Sequence, residues 1–271
     1  MSILFRCVPG LCVCCLLFSG CAGLSQRDVS LPQYESNFVR DAFEKMRARQ
    51  EACFCLDAEI FANLAISRWI GGGRVAFSGY LQALAPSSIR FTGINPLGQP
   101  QFLLIVADGE FQSVIVPEAK MYNGSVQAKT FAKYTPPGFN PDDTYAWLTG
   151  QAPDDVFAAA SIKPADKQKN YWLEFARAEG SYIEKFLFDV EAGRIVRRIL
   201  AKRSGNIVVE ATYEDHRRNN LCQLPQSLTL ASPSQKSTVN LVLNDVVECE
   251  DLPPATFRHI SPPGFEKIVV E

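Results

Sequence analysis

The side chains most able to do chemistry in this 271-residue chain are its 9 cysteines, and they are unevenly placed. Cys7, Cys12, Cys14, Cys15 and Cys21 crowd the N-terminus, while Cys53, Cys55, Cys222 and Cys249 are spread through the body. A thiol can be acylated, enter a disulfide or ligate a metal, so the surroundings of each decide its use. Only 2 histidines accompany them, His216 and His259, which leaves little scope for a multi-His metal site or a His-based catalytic dyad. His216 sits among Asp215, Arg217 and Arg218 and reads as a solvated turn. The acidic pairs Asp142-Asp143 and Asp154-Asp155 flank a short helical segment, where capping and solvation account for them. There is no nucleophile elbow, phosphate-binding glycine loop or His-Glu-x-x-His helix. The sequence therefore predicts a non-enzyme with no metal and no cofactor. A net charge of -2 gives no basic footprint for nucleic acid.

The N-terminal segment carries one positive charge, Arg6, then an uncharged run from Cys7 to Gly20. That run is short of the roughly 18–20 apolar residues needed to span a bilayer and contains Pro9 and Gly10. It reads as a secretory signal, with an ordinary cleavage site or an uncleaved anchor helix as alternatives. Leu17-Phe18-Ser19-Gly20-Cys21 resembles the bacterial lipobox, although Phe18 replaces the usual Leu. The resemblance implies removal of residues 1–20 and acylation of Cys21, which gives a stable multi-chain anchor. In Gram-negative lipoproteins of this kind an Asp after the Cys favours the inner membrane. Ala22 stands there instead, which points to the outer membrane, periplasmic face. Residues 21–33, with Ser25, Asp28, Ser30 and Pro32, read as a tether.

The elements that must position the remaining side chains follow from periodicity. Phe38, Val39, Ala42, Phe43 and Met46 make a helical stripe over Tyr34–Ala52. From Phe54 the pattern changes to strict alternation: Leu56, Ala58, Ile60, Ala62 and Leu64 on one face, Asp57, Glu59 and Asn63 on the other. After Gly71-Gly72-Gly73 a second strand carries Val75, Phe77, Leu81 and Ala83 on one face. Shorter strands are expected at Ser88–Ile94, Gln101–Ala107 and Phe111–Val116, with Met121–Gln127 as a candidate further one. Pro136-Pro137-Gly138 marks a loop, and a short helix is expected through Leu148, ended by Gly150. Strands resume at Asn170–Ala176, Ser181–Phe188, Arg194–Ala201 and Asn206–Glu214, and a last hairpin joins Leu224–Ala231 to Ser237–Glu248. The expected fold is mainly β: one domain over residues 34–271, a single curled antiparallel sheet of about eleven strands forming an unclosed barrel. An N-terminal helix and a mid-chain helical insertion should cover its apolar face. Leu56, Ile60, Leu64, Phe77, Leu81, Phe91 and Leu104 are expected to line that inner face. Folding the last hairpin places Cys222 near Cys249, predicting a disulfide between them, with free thiols as the alternative. Cys53 and Cys55, two apart on one strand face, are about 6.6 Å apart in extended chain, near the limit for a bridge.

Two segments are similar to the LolB family of outer-membrane lipoproteins: Ile94-Asn95-Pro96-Leu97-Gly98 with the following Phe102-Leu103-Leu104-Ile105, and Tyr145-Ala146-Trp147-Leu148-Thr149-Gly150-Gln151-Ala152-Pro153. Leu224-Pro225, Val239-Asn240-Leu241, Phe257 and Pro263-Gly264 resemble the wider LolA/LolB superfamily of lipoprotein carriers. The resemblance implies an open barrel whose concave face takes acyl chains, a LolA-like periplasmic carrier as partner, and Leu97 as a protruding tip that contacts the membrane. The chain departs from LolB in its longer C-terminal part and its four body cysteines. The leading expectation is a binding and transfer protein for lipoproteins or lipid, with a non-catalytic scaffold in envelope assembly as the alternative.

Overall fold

The computed structural model describes residues 31–66, 73–128, 141–152, 161–165, 169–177, 180–218, 222–247, 249 and 252–271. Cys21, the signal and tether up to residue 30, Gly71-Gly72 and Pro136-Pro137-Gly138 lie outside them. Helix α1 covers Gln33–Gln50 and buries Val39, Phe43 and Met46, spaced four and three apart so that they share one face. Phe38, one step off that stripe, is exposed instead.

The alternating pattern becomes β1 (Cys55–Ile66), followed by β2 (Gly73–Leu84), β3 (Ser88–Ile94), β4 (Pro100–Ala107), β5 (Glu110–Ile115) and β6 (Lys120–Ser125). After a 3-10 turn at Pro141–Asp143 and helix α2 (Thr144–Thr149) come β7 (Ser161–Pro164), β8 (Asn170–Ala176), β9 (Tyr182–Asp189), β10 (Arg194–Lys202) and β11 (Ile207–Glu214). The chain ends with β12 (Arg217–Arg218), β13 (Gln223–Leu224), β14 (Ser227–Ser232), β15 (Ser237–Val247), a 3-10 turn at Pro254–Phe257 and β16 (Glu266–Val270). Fourteen strands form one curled, unclosed sheet in the order β16-β6-β5-β4-β3-β2-β1-β15-β14-β11-β10-β9-β8-β7, and β12–β13 pair separately. The main sheet is thus wider than the eleven strands expected, because the candidate strand around Met121–Gln127 forms as β6, and β7 and β16 extend its two ends. It is also not wholly antiparallel, since β16 runs parallel to β6.

A large cluster on the inner face joins Val39, Phe43 and Met46 of α1 and Tyr145, Trp147 and Leu148 of α2 to β1, β2, β8–β11, β14 and β15. Phe43 packs edge-on to Phe188, with ring centroids 5.2 Å apart. A second cluster occupies the outer face: Leu103, Ile105, Val114 and Met121 meet Leu252 and Phe257 from the C-terminal tail. Within the unbroken apolar run Leu103-Leu104-Ile105-Val106, Leu103 and Ile105 are therefore buried under the tail, while Leu104 and Val106 are half-buried on the inner face. Buried Gln112 fastens the tail by mimicking a strand neighbour. Its Nε2 donates to the Ile260 carbonyl at 2.9 Å and its Oε1 accepts from the Ile260 N–H at 2.8 Å. Arg90 Nη1 adds a bond to the Thr256 carbonyl at 3.0 Å.

The disulfides correct the expected Cys222–Cys249 pairing. Cys53 is bonded to Cys222 and Cys55 to Cys249, with Cα atoms 5.5 and 5.6 Å apart. Two local features produce this. Cys53 precedes β1, its N–H closing a turn onto the Gln50 carbonyl at 2.8 Å, so it does not share a strand face with Cys55. The last hairpin splits below Ser227: Gln223 and Leu224 pair with Arg218 and Arg217, carrying Cys222 away from β15. Strand β15 meanwhile follows β1, where Asp57 faces Val247, and the same register extended brings Cys249 opposite Cys55. Cys53 and Cys222 belong to the inner cluster, Cys55 and Cys249 to the outer one.

Candidate functional site

The β3–β4 turn is built from its own side chains. Asn95 Oδ1 accepts hydrogen bonds from the N–H groups of Leu97 and Gln99, both at 3.0 Å. The Gly98 N–H donates to the Asn95 carbonyl at 2.9 Å, and the Asn95 N–H to the Gln99 carbonyl at 3.0 Å. Gly98 has φ +77°, a conformation that a side chain would strain. These bonds fix the turn without using the Leu97 side chain, which is 82% exposed, the largest exposure among the described large apolar residues.

Cross-strand register brings all seven expected inner-face residues to one side. Ala58 faces Leu81, Ala62 faces Phe77, Leu81 faces Phe91, and Phe91 faces Leu104. They divide into two environments. Leu56, Ile60 and Leu81 are buried in the cluster beneath the helices, whereas Leu64, Phe77, Phe91 and Leu104 are half-buried. Phe77, Phe91 and Phe102 form an aromatic row, centroids 5.5 and 6.1 Å apart. Gly93 lies under the Phe77 ring, where an added Cβ would come within 3.2 Å of it. The helix-covered half of the inner face is therefore filled, and the half formed by β2–β4 keeps apolar surface partly open. A cavity of about 220 Å³ lies elsewhere, between Trp172, Glu174, Lys185, Ile199 and Ile207 on the outer side of β8–β11. That is below the size usual for small-molecule pockets.

Sequence reasoning missed a buried ion network beneath α2. Arg198 is fully buried, its guanidinium 4.1 Å from the Trp147 ring centroid and bonded through Nε to Glu184, which is itself buried. Arg177 Nη2 bridges Glu184 at 2.8 Å and Asp143 at 2.5 Å. Asp143 was expected to cap α2, but no side-chain cap bond forms and its carboxylate serves this network instead. Two tyrosines complete the attachment of α2: Tyr213 donates to the Trp147 carbonyl at 2.9 Å, and Tyr145 to the Cys53 carbonyl at 2.9 Å. Burial pushes both phenols well above their usual range. Gly150 ends α2 with φ +72°, face to face with the Tyr213 ring. The available signal was parity: Glu184 and Arg198 occupy inward positions on strands whose other inward residues are apolar.

Among the described residues no group of His, Cys, Asp and Glu could hold a metal ion, and no helix is long and apolar enough to cross a membrane. His216 is half-buried beside Arg194, and burial followed by that positive charge lowers its pKa to about 4. The unfolded chain, with a pKa near 6.5, therefore takes up the proton first as pH falls. Stability contributed by neutral His216 is fully present above about pH 6.5 and is lost as pH falls through 4. The side chain is only half-buried, so solvent screening reduces the effect to about 1–2 kcal/mol. Urea titrations of the parent between pH 4 and 7 should show this loss, and His216→Gln should flatten it. A parent and variant with parallel profiles would contradict the assignment.

No protein-family model and no curated protein matches the sequence. Solved structures do match the fold. One is assigned as an outer membrane lipoprotein-sorting protein domain from Vibrio parahaemolyticus, at 11% identity and TM-score 0.54. The aligned region covers 82% of this chain and 97% of that one. A LolA superfamily protein from Nitrosomonas europaea gives 11% identity and TM-score 0.52 over the same shares. A DUF1329 family protein from Desulfovibrio piger gives 14% and 0.53, again over 82% and 97%. The chain thus has the LolA-type fold: one curled, unclosed sheet with helices against it. At this identity the likeness is one of architecture.

Proposed function

We propose that this protein is an outer-membrane-anchored lipoprotein of the Gram-negative periplasmic face, held by acylated Cys21, that takes acyl chains of lipoproteins or lipid and delivers them to the membrane. The single observation that carries the reading is Leu97, an 82% exposed leucine on a turn that its own polar side chains hold in shape. The likeness to a lipoprotein-sorting domain supports it. Cargo would arrive from a LolA-like periplasmic carrier and sit against Leu64, Phe77, Phe91 and Leu104, with each buried methylene worth about 0.8 kcal/mol. Transfer then needs no catalytic residue, only a gradient of apolar contact.

A second reading, a non-catalytic scaffold in envelope assembly, is favoured by the filled core beneath α1 and α2. A binding measurement separates the two. Cys21→Ala should release the protein from the membrane fraction, and the soluble form should bind a fluorescent fatty acid saturably. Leu104→Glu places a charge among half-buried apolar groups and should weaken that binding at least tenfold, with circular dichroism and melting used to confirm the fold. No binding by the soluble parent, or equal binding by a folded Leu104→Glu variant, would favour the scaffold.

A further inference from the structure

The two disulfides are interlaced in the sequence, first with third and second with fourth, and they sit on opposite faces of the sheet. We infer that this chain reaches its folded form chiefly by way of a thiol–disulfide isomerase, a partner in its maturation. The inference rests on the reading that the chain is exported, because only an oxidising compartment makes and keeps such bonds. During export Cys53 and Cys55 emerge together, long before Cys222. Later, Cys222 finds Cys249 nearer than either native partner. The native pairs are separated by 169 and 194 residues, while Cys222 and Cys249 are separated by about 27. Loop closure falling as the three-halves power of length favours the local pair roughly 15- to 20-fold.

A protein-disulfide oxidant takes two electrons and two protons from each thiol pair and leaves as a dithiol. Acting alone, it therefore seals Cys53–Cys55 and Cys222–Cys249. That chain cannot finish the sheet. The local pair would tie together residues that the finished structure holds on opposite faces, and Cys53, Cys55 and Cys222 are all buried once it forms. Repair requires no further oxidant. An isomerase thiolate attacks Cys249, forming a mixed disulfide and freeing the Cys222 thiolate. Cys222 attacks Cys53, forming the first native bond and freeing Cys55. Cys55 then attacks Cys249, forming the second native bond and returning the isomerase thiolate. Two disulfides enter and two leave.

The test uses the full chain, exported in bacteria with and without their periplasmic disulfide isomerase, acid-quenched, alkylated and mapped by mass spectrometry of unreduced peptides. With the isomerase, Cys53–Cys222 and Cys55–Cys249 should predominate. Without it, more than half the chains should carry a local pair. In the Cys55→Ala/Cys249→Ala double variant only one body disulfide is possible, and its yield should be equal in both strains. Native pairs at equal yield in both strains, or a double variant that still needs the isomerase, would overturn the inference. Cysteines fully reduced in both strains would overturn the export reading and the inference with it.

Discussion

Leu97→Glu is expected to leave folding, Cys21 acylation and acyl-chain binding intact while abolishing delivery into liposomes. The reason is a separation of roles within one turn. Asn95 and Gly98 form the turn, so the Leu97 side chain adds nothing to its stability. Under the proposed function, its burial in a lipid interface would be worth about 1.5–3 kcal/mol, too little to anchor the protein but enough to orient the β3–β4 tip toward the bilayer during transfer. A carboxylate there reverses the sign of that interaction. Asn95→Ala provides the complementary variant: the leucine remains, the turn loses three side-chain bonds, and delivery should fall part of the way. A reconstituted assay in which Leu97→Glu delivers cargo as fast as the parent would remove the membrane-contact role.

The largest stability effect should come from Glu184→Ala. The carboxylate is 1% exposed and balances Arg198, at 0%, together with Arg177. Removing one partner of a buried ion pair leaves an uncompensated charge and costs about 3–5 kcal/mol. For a chain of this size that corresponds to a fall in Tm of about 10 °C. Glu210→Ala is the control, because its partner Arg197 is 40% exposed and surface pairs contribute at most about 1 kcal/mol. Replacing the buried pair together, as Arg198→Met/Glu184→Leu, should recover most of the loss. Equal melts for Glu184→Ala and Glu210→Ala would show that the network does not hold the insertion.

Most strands were legible because alternation is a local signal. Ser88–Ile94 and Asn170–Ala176 match the expected limits residue for residue, and Leu56 to Leu104 share a face as their parity required. Most of what escaped depends on partners far away in the chain. Ile268-Val269-Val270 looks like any apolar tail, and nothing local says that it will lie parallel to β6. Ser161–Pro164 is four residues ending in proline, too short to register as a strand. The run Leu103 to Val106 did carry a signal that its outer face is covered too, but the outer partners Leu252 and Phe257 lie well over a hundred residues away. The disulfides were misassigned for the same reason. Chain proximity favoured Cys222 with Cys249, whereas the register of β15 on β1 decided otherwise. The exposed leucine could be placed at a turn tip from Pro96 and Gly98, but its 82% exposure needed coordinates.

A sheet that stops short of closing keeps two borders, and borders are where β proteins aggregate, because unpaired backbone groups there can template another chain. Both borders here are poor templates. Strand β7 is four residues long, ends in Pro164, which has no N–H to offer, and carries exposed Lys163 beside it. Strand β16 is five residues long and begins with exposed Glu266 and Lys267, so a second copy laid along it would have to desolvate charge to cover Val269. The open barrel can thus be concentrated without growing into a fibre, even while Leu97 at the β3–β4 turn stays exposed.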